Sequence, residues 1–169
     1  MHRVVIALGS NLGDRAAWLD AAVARLVEHP ELTLTGVSRW VESIAHTPDG
    51  PSTDAPSYLN GVVLATTTLE PLEVLELLHA TEIALGRPAV HEHWGDRTID
   101  LDLVSVDDLI WQSERLTLPH PRAHERVFVL APWAELDPSA VLPGRGAVNA
   151  LLQTADPVEL AALRPGVPS

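Results

Sequence analysis

Apolar residues in this chain repeat with two different periods, and the order in which those periods alternate limits the fold more than any single motif. Residues 3–8, RVVIAL, form a β-branched run that reads as a buried strand. A GSNLGD turn follows, in which Asn11 or Asp14 can cap a helix. Trp18, Leu19, Ala22, Val23, Leu26 and Val27 recur at helical spacing, and His29-Pro30 ends that helix. Residues 32–42 alternate as a second strand, and residues 58–68 read as a third. Pro71 opens a helix carried by Leu72, Val74, Leu75, Leu78, Ile83 and Leu85, which stops at Gly86. The segment RTIDLDLV is the fourth strand. Strand–helix–strand–strand–helix–strand is the split βαβ order. It predicts an α+β fold with a ferredoxin-like βαββαβ core, an antiparallel sheet with both helices on one face.

Beyond this core, residues 106–119 read as a hairpin-like excursion. PHPRAHER turns the chain into a helix over VFVLAPWAEL. A C-terminal hairpin and short helices, one near Val148–Leu152, complete the expectation. Residues 1–156 are expected to form one domain, and residues 157–169 a Pro-rich tail. Two polar loops interrupt the core, at 44–57 and 87–97. The first is long for a compact domain, and such loops are usually functional or mobile.

The fourth strand carries the chemistry. Side chains on a strand alternate faces, so Asp100 and Asp102 share one face, and Ile99, Leu101 and Leu103 the other. The two carboxylates stand roughly 6–7 Å apart along the chain. Like charges held together repel, and a divalent cation is the simplest compensation. The alternative is a solvated face on an edge strand. Asp107 and Asp108 are adjacent, point to opposite faces and read as a turn.

Charge narrows the partners. The net charge is −12, which argues against non-specific nucleic-acid or anionic-membrane binding. All eleven basic residues are Arg, so a P-loop with its Lys is excluded and any bound phosphate must be held by guanidinium forks. GSNLG therefore reads as a tight turn rather than a phosphate loop. Arg87, Arg97, Arg115, Arg122 and Arg126 fall in the same quarter of the chain as the Asp pair, with His91, His93, His120 and His124. Those histidines lack zinc-ligand spacing. Arg126 opens a helix whose first amides also favour anions. Glu82 lies on the apolar stripe of its helix, either snorkelling at the helix end or directed at a site. There is no Cys, hence no disulfide or thiolate site, and no apolar run of ~18 residues. A soluble, cytoplasmic protein is expected.

Several segments together resemble one family: ALGSNLGDR at 7–15, YLNGVV at 58–63, Glu82 ahead of Gly86-Arg87, WGDRTIDLDLV at 94–104 and LTLPHPRAHERVFVLAPWAEL at 116–136. They are similar to the 6-hydroxymethyl-7,8-dihydropterin pyrophosphokinases of folate biosynthesis. The resemblance covers about residues 3–140. It implies a ferredoxin-like monomer that transfers pyrophosphate from ATP to the pterin hydroxymethyl group and releases AMP. It further implies two Mg²⁺ ions on Asp100 and Asp102 and phosphate contacts from Arg87, Arg97 and Arg126. Arg97 and Arg126 would act in the transition state. His120, Arg115 and Thr117 would line the ATP pocket, with Glu82 near the nucleotide. Asn60 would read the pterin edge, Tyr58 and Phe128 would flank its ring, and Trp94 would close over the site. Those are the only Tyr and the only Phe in the chain.

Three features depart from the family pattern. PAVHEH follows Arg87 where further basic residues are usual, Asp96 replaces a usual Pro, and the loop over 43–57 is longer. Two other readings compete. A nucleotidyltransferase pairs a GS turn with a nearby DxD strand, but here Ser10 and Asp100 are far apart in sequence. A ferredoxin-like binding module would not require Asn60, Asp100, Asp102, His120 and Arg126 together.

Overall fold

The computed structural model describes residues 1–11, 13–43, 57–86 and 99–165, and the backbone alone of 45–47 and 50–52. Arg87, His91, His93, Trp94 and Arg97 lie outside the described residues.

The first half of the chain forms β1 (His2–Ser10), α1 (Arg15–Glu28), β2 (Leu32–Val37), β3 (Val41–Ser43), the short hairpin β4 (Ala45–Thr47) and β5 (Gly50–Ser52), then β6 (Tyr58–Thr67) and α2 (Pro71–Ala84). The second half forms β7 (Asp100–Val106), the hairpin β8 (Trp111–Gln112) and β9 (Thr117–Leu118), and α3 (Val127–Leu136). The hairpin β10 (Val141–Leu142) and β11 (Gly146–Ala147), helices α4 (Val148–Gln153) and α5 (Pro157–Ala162), and β12 (Arg164–Pro165) complete it. Helix α1 starts where Asp14 accepts the Ala17 N–H at 3.1 Å, and α2 starts with Pro71 behind a Glu70–Glu73 capping box.

The central sheet runs β12-β3-β6-β1-β7, with β2 also paired to β6. Every pairing in it is antiparallel. The core order β7-β1-β6-β2 is the ferredoxin-like one that the alternation of periods predicts. One sheet face buries Ile6, Leu8, Val63, Leu101 and Leu103 against Leu19, Leu26 and Leu78 of α1 and α2. The opposite face is covered too: Val5, Ala7, Val62 and Val104 pack under Val129, Leu130 and Trp133 of α3. The described residues therefore form three layers, with the sheet between α1 and α2 on one side and α3 on the other.

Two local irregularities matter. The run 32–42 is two strands, because Ser38–Trp40 breaks the ladder and its hydroxyl substitutes for it. Ser38 Oγ accepts the Val62 N–H at 2.8 Å and donates to Arg39 O at 2.9 Å. The Trp40 ring lies on Gly61, where any Cβ would overlap it. Gly61→Ala should cost about 1–3 kcal/mol, by the usual scale of overpacking, and is checked by urea unfolding. In β7 a bulge inserts Val104 opposite the Val5/Ile6 step of β1. It returns Val106 to the helix-covered face while Asp100, Asp102 and Val104 stay on the other.

The far end of β1 is tied down electrostatically. His2 Nδ1 lies 2.6 Å from Asp107 Oδ2, and the Arg3 N–H donates to Asp107 Oδ1 at 2.7 Å. The hydrogen bond to Asp107 raises the His2 pKa above 6.5 against the opposing effect of burial. The folded state thus holds a proton that the unfolded chain releases. The stabilisation is full below pH 6.5 and fades as pH rises through the raised value. Wild type should exceed His2→Asn by up to about 1 kcal/mol at acid pH, the scale for a part-exposed pair. That margin should shrink at alkaline pH in urea titrations; a pH-independent margin would contradict the assignment. Among the described residues no helix is long and apolar enough to cross a membrane.

Candidate active site

The register of three strands builds the site. Asp102 pairs with Ala7 and Asp100 with Gly9 across β7 and β1, while Gly9 pairs with Asn60 across β1 and β6. Opposed residues share a face, so Asp100, Gly9 and Asn60 form one row across the sheet on the α3 side. Two strand spacings separate its ends, about 10 Å. Gly9 keeps the middle of that row flat: a Cβ there would lie 3.2 Å from Asn60 Oδ1 and 3.5 Å from Tyr58 Cδ1. The row is a floor with carboxylates at one end and an amide and a phenol ring at the other.

The amide orientation follows from its neighbours. Asn60 Nδ2 donates to Ser43 Oγ at 2.7 Å and faces the Val41 and Tyr58 carbonyls at 3.5 Å. Carbonyl oxygens only accept, so the NH₂ must point that way, and Oδ1 lies over Gly9. The sequence suggests an amide offering both donor and acceptor; in the fold the donor side is engaged with protein and the acceptor meets the floor.

The other end is cationic as well as anionic. Arg126, the residue that begins α3, places a guanidinium nitrogen 3.3 Å from Asp102 Oδ2 and its Cζ 5.7 Å from the Phe128 ring centroid. The carboxylates are half-buried and offer hard oxygen donors. Among the described residues no group of three or more His, Cys, Asp or Glu gathers to cage a metal. Two carboxylates fit Mg²⁺, which completes its octahedron with water and phosphate oxygens, and fit a structural zinc poorly.

Beside Asp102 a cleft of about 240 Å³ opens between α2 and the β8–β9 hairpin, along the outer edge of β7. Arg115, Thr117 and His120, three of the residues singled out in the sequence, line it together. Leu75 and His79 of α2, one turn apart, line it too and were not anticipated; their i, i+4 spacing was the available signal. Arg115 is held by Glu76 at 3.1 Å. Burial pushes the His120 pKa down, aided by Arg126 and Arg122 and opposed by Asp100, to about 4. The ring is therefore neutral at physiological pH. Its Nδ1 accepts the Arg122 N–H at 3.2 Å, so the proton sits on Nε2 and makes it a donor.

Glu82 does not snorkel at the end of its helix. It is buried, and its carboxylate accepts the Leu101 N–H at 2.8 Å. Leu101 lies between the two aspartates on β7, which ends the sheet order among the described residues. Glu82 thus supports the Asp strand through its backbone. The described residues bring together Asp100, Asp102, Arg126, Phe128, Asn60 and Tyr58 on one sheet face, with the cleft at its edge.

A flat floor running from an amide to a carboxylate–arginine pair, on a ferredoxin-like sheet, suits an enzyme that transfers phosphate groups. The family model for 7,8-dihydro-6-hydroxymethylpterin-pyrophosphokinase matches residues 5–138. The chain belongs to that family. It is 45% identical over 131 residues to the Bacillus subtilis 2-amino-4-hydroxy-6-hydroxymethyldihydropteridine pyrophosphokinase, covering 78% of this chain and 75% of that one. The corresponding Synechocystis protein is 36% identical over 167 residues, covering 99% and 82%. The bifunctional protein FolKE of Lactococcus lactis is 40% identical over 136 residues, and the match takes in 38% of its length. Crystal structures of Plasmodium falciparum HPPK-DHPS superpose with a TM-score of 0.71 at 12% identity, over 90% of this chain and 45% of that one, which bears on the fold.

Proposed function

We propose that this chain transfers pyrophosphate from ATP to the hydroxymethyl group of 6-hydroxymethyl-7,8-dihydropterin, in folate biosynthesis. The single observation that carries the reading is the Asp100–Gly9–Asn60 row, which sets an amide acceptor about 10 Å from a carboxylate pair with a glycine between them. A flat pterin lies on that floor with its N–H edge toward Asn60 Oδ1 and its ring between Tyr58 and Phe128. Its hydroxymethyl group then extends toward Asp100 and Asp102. The nucleotide occupies the neighbouring cleft, with Arg115, Thr117 and the His120 Nε2–H as its contacts and Glu82 bracing the strand beneath.

Asp100 and Asp102 are the residues that would hold two Mg²⁺ ions. The ions supply charge neutralisation on the triphosphate and polarise the phosphorus under attack. The alcohol oxygen bonds to Pβ, the bond from Pβ to the α-phosphate oxygen breaks, the alcohol proton is released, and AMP leaves. Arg126 stands where negative charge builds on the transferring oxygens. Arg87, Arg97 and Trp94, which lie outside the described residues, would take the phosphate-binding and site-closing roles that the resemblance implies. The reading needs no nucleic acid or membrane partner, and a cytoplasmic monomer accords with it.

ATP consumption tests the acceptor. It should proceed with the hydroxymethyl pterin and stop with its 6-methyl analogue, which lacks the attacking oxygen. Equal consumption with both would make water the acceptor and sink the reading.

A further inference from the structure

We infer that Arg15 is a positioning residue for the pterin end of the floor, acting from the back of the sheet; the inference rests on the function proposed above. Arg15 is the first residue of α1. One of its terminal nitrogens donates to Ser57 O at 2.9 Å and to Ser57 Oγ at 3.0 Å, and the other reaches Glu42 Oε2 at 3.4 Å. Ser57 Oγ donates in turn to Glu42 Oε1 at 2.8 Å. This closed triad joins a helix terminus to both ends of the segment that leaves β3 and enters β6.

The residues next in line are the ones that shape the floor. Glu42 precedes Ser43, whose hydroxyl accepts from Asn60, and Ser57 precedes Tyr58. Glu42 pairs with Leu59, a residue of the face under α1 and α2, while Val41 pairs with Asn60 and Ser43 with Tyr58 on the opposite face. Arg15 therefore lies on the side of the sheet away from the floor and acts on the substrate only through β3 and β6.

Strand β3 needs such support. Among the described residues it pairs with β6 over three residues, and its other edge meets the two residues of β12. So short a ladder resists sliding weakly. A slip by one residue would move Ser43 to the far face and remove the partner that orients the Asn60 amide. A lysine ammonium gathers its donors at one point, whereas the planar guanidinium reaches Ser57 with one nitrogen and Glu42 with the other.

The test is steady-state kinetics on the full chain with both substrates varied. Arg15→Ala should raise the KM for the pterin alcohol about tenfold, the scale of a lost charge-assisted hydrogen bond, and leave the KM for ATP unchanged. Arg15→Lys should recover part of that loss. Ser57→Ala keeps the main-chain acceptor and should shift the pterin KM in the same direction by less, which covers the case of a poorly folded Arg15→Ala. A general structural role would move both KM values or kcat. If wild type turns over and Arg15→Ala retains its pterin KM, or raises both KM values alike, the inference is overturned alone. If wild type itself does not turn over the pterin alcohol, the functional reading falls and takes the inference with it.

Discussion

Asp102→Ala is expected to lower Mg²⁺-dependent turnover by about a thousandfold, the scale for removing a preorganised charge from a phosphate-transfer site. Asp102 sits between the cleft and the floor and faces Arg126 at 3.3 Å, so it touches both halves of the proposed reaction. Its loss removes an anchor for the metal and leaves Arg126 without that partner. The fold should survive. Asp102 is half-buried beside Ala7, and Ala at this position takes a like charge away from Asp100. Unfolding free energy should therefore change by less than about 1 kcal/mol. Asp102→Asn keeps the shape and removes the charge, and should lose nearly as much turnover. Wild-type rates with normal Mg²⁺ dependence in either variant would contradict the metal assignment.

Gly9→Val is expected to abolish pterin binding, raising its dissociation constant by about a hundredfold or more, while Mg·ATP binding changes little. The scale is that of a misplacement of about 1 Å in a site that must hold two reactants in line. Valine suits a strand, and Gly9 does not have the positive φ that would exclude it. The effect is thus local. The new Cβ stands 3.2 Å from Asn60 Oδ1, and the two methyl groups fill the space between Asn60 and Asp100. The cleft proposed for the nucleotide lies at the outer edge of β7, beyond Asp102, and is untouched. Separate calorimetric titrations with the pterin alcohol and with a non-hydrolysable ATP analogue distinguish the two. A Gly9→Val chain that binds pterin as wild type does would place the substrate elsewhere.

The sheet was legible in the sequence because its strands and its two flanking helices carry clean periods. The shared face of Asp100 and Asp102 follows from strand alternation alone. The cover over the opposite face was not legible. Helix α3 buries Val127, Val129, Leu130, Pro132 and Trp133, so it is apolar on most of its surface and its period does not say which layer it joins. The break at Ser38–Trp40 is a tertiary event, forced by the Trp40 ring on Gly61, and nothing local in residues 32–42 announces it. Glu82 stood out as a carboxylate on an apolar stripe. Its partner, a backbone N–H of an edge strand, becomes visible only once the strand order is known. The same holds for Ser43, whose bond to Asn60 depends on the β3–β6 register. Pro157–Pro165, read as part of a tail, instead forms α5 and a strand that pairs with β3.

The most direct test of the central claim follows the phosphorus of ATP through one turnover with the hydroxymethyl pterin, by ³¹P NMR. Transfer of both terminal phosphates gives AMP and a pterin diphosphate in equal amounts, and that is the predicted result. ADP with a pterin monophosphate would mean attack at the γ-phosphorus and would contradict the account, as would the absence of any phosphorylated pterin.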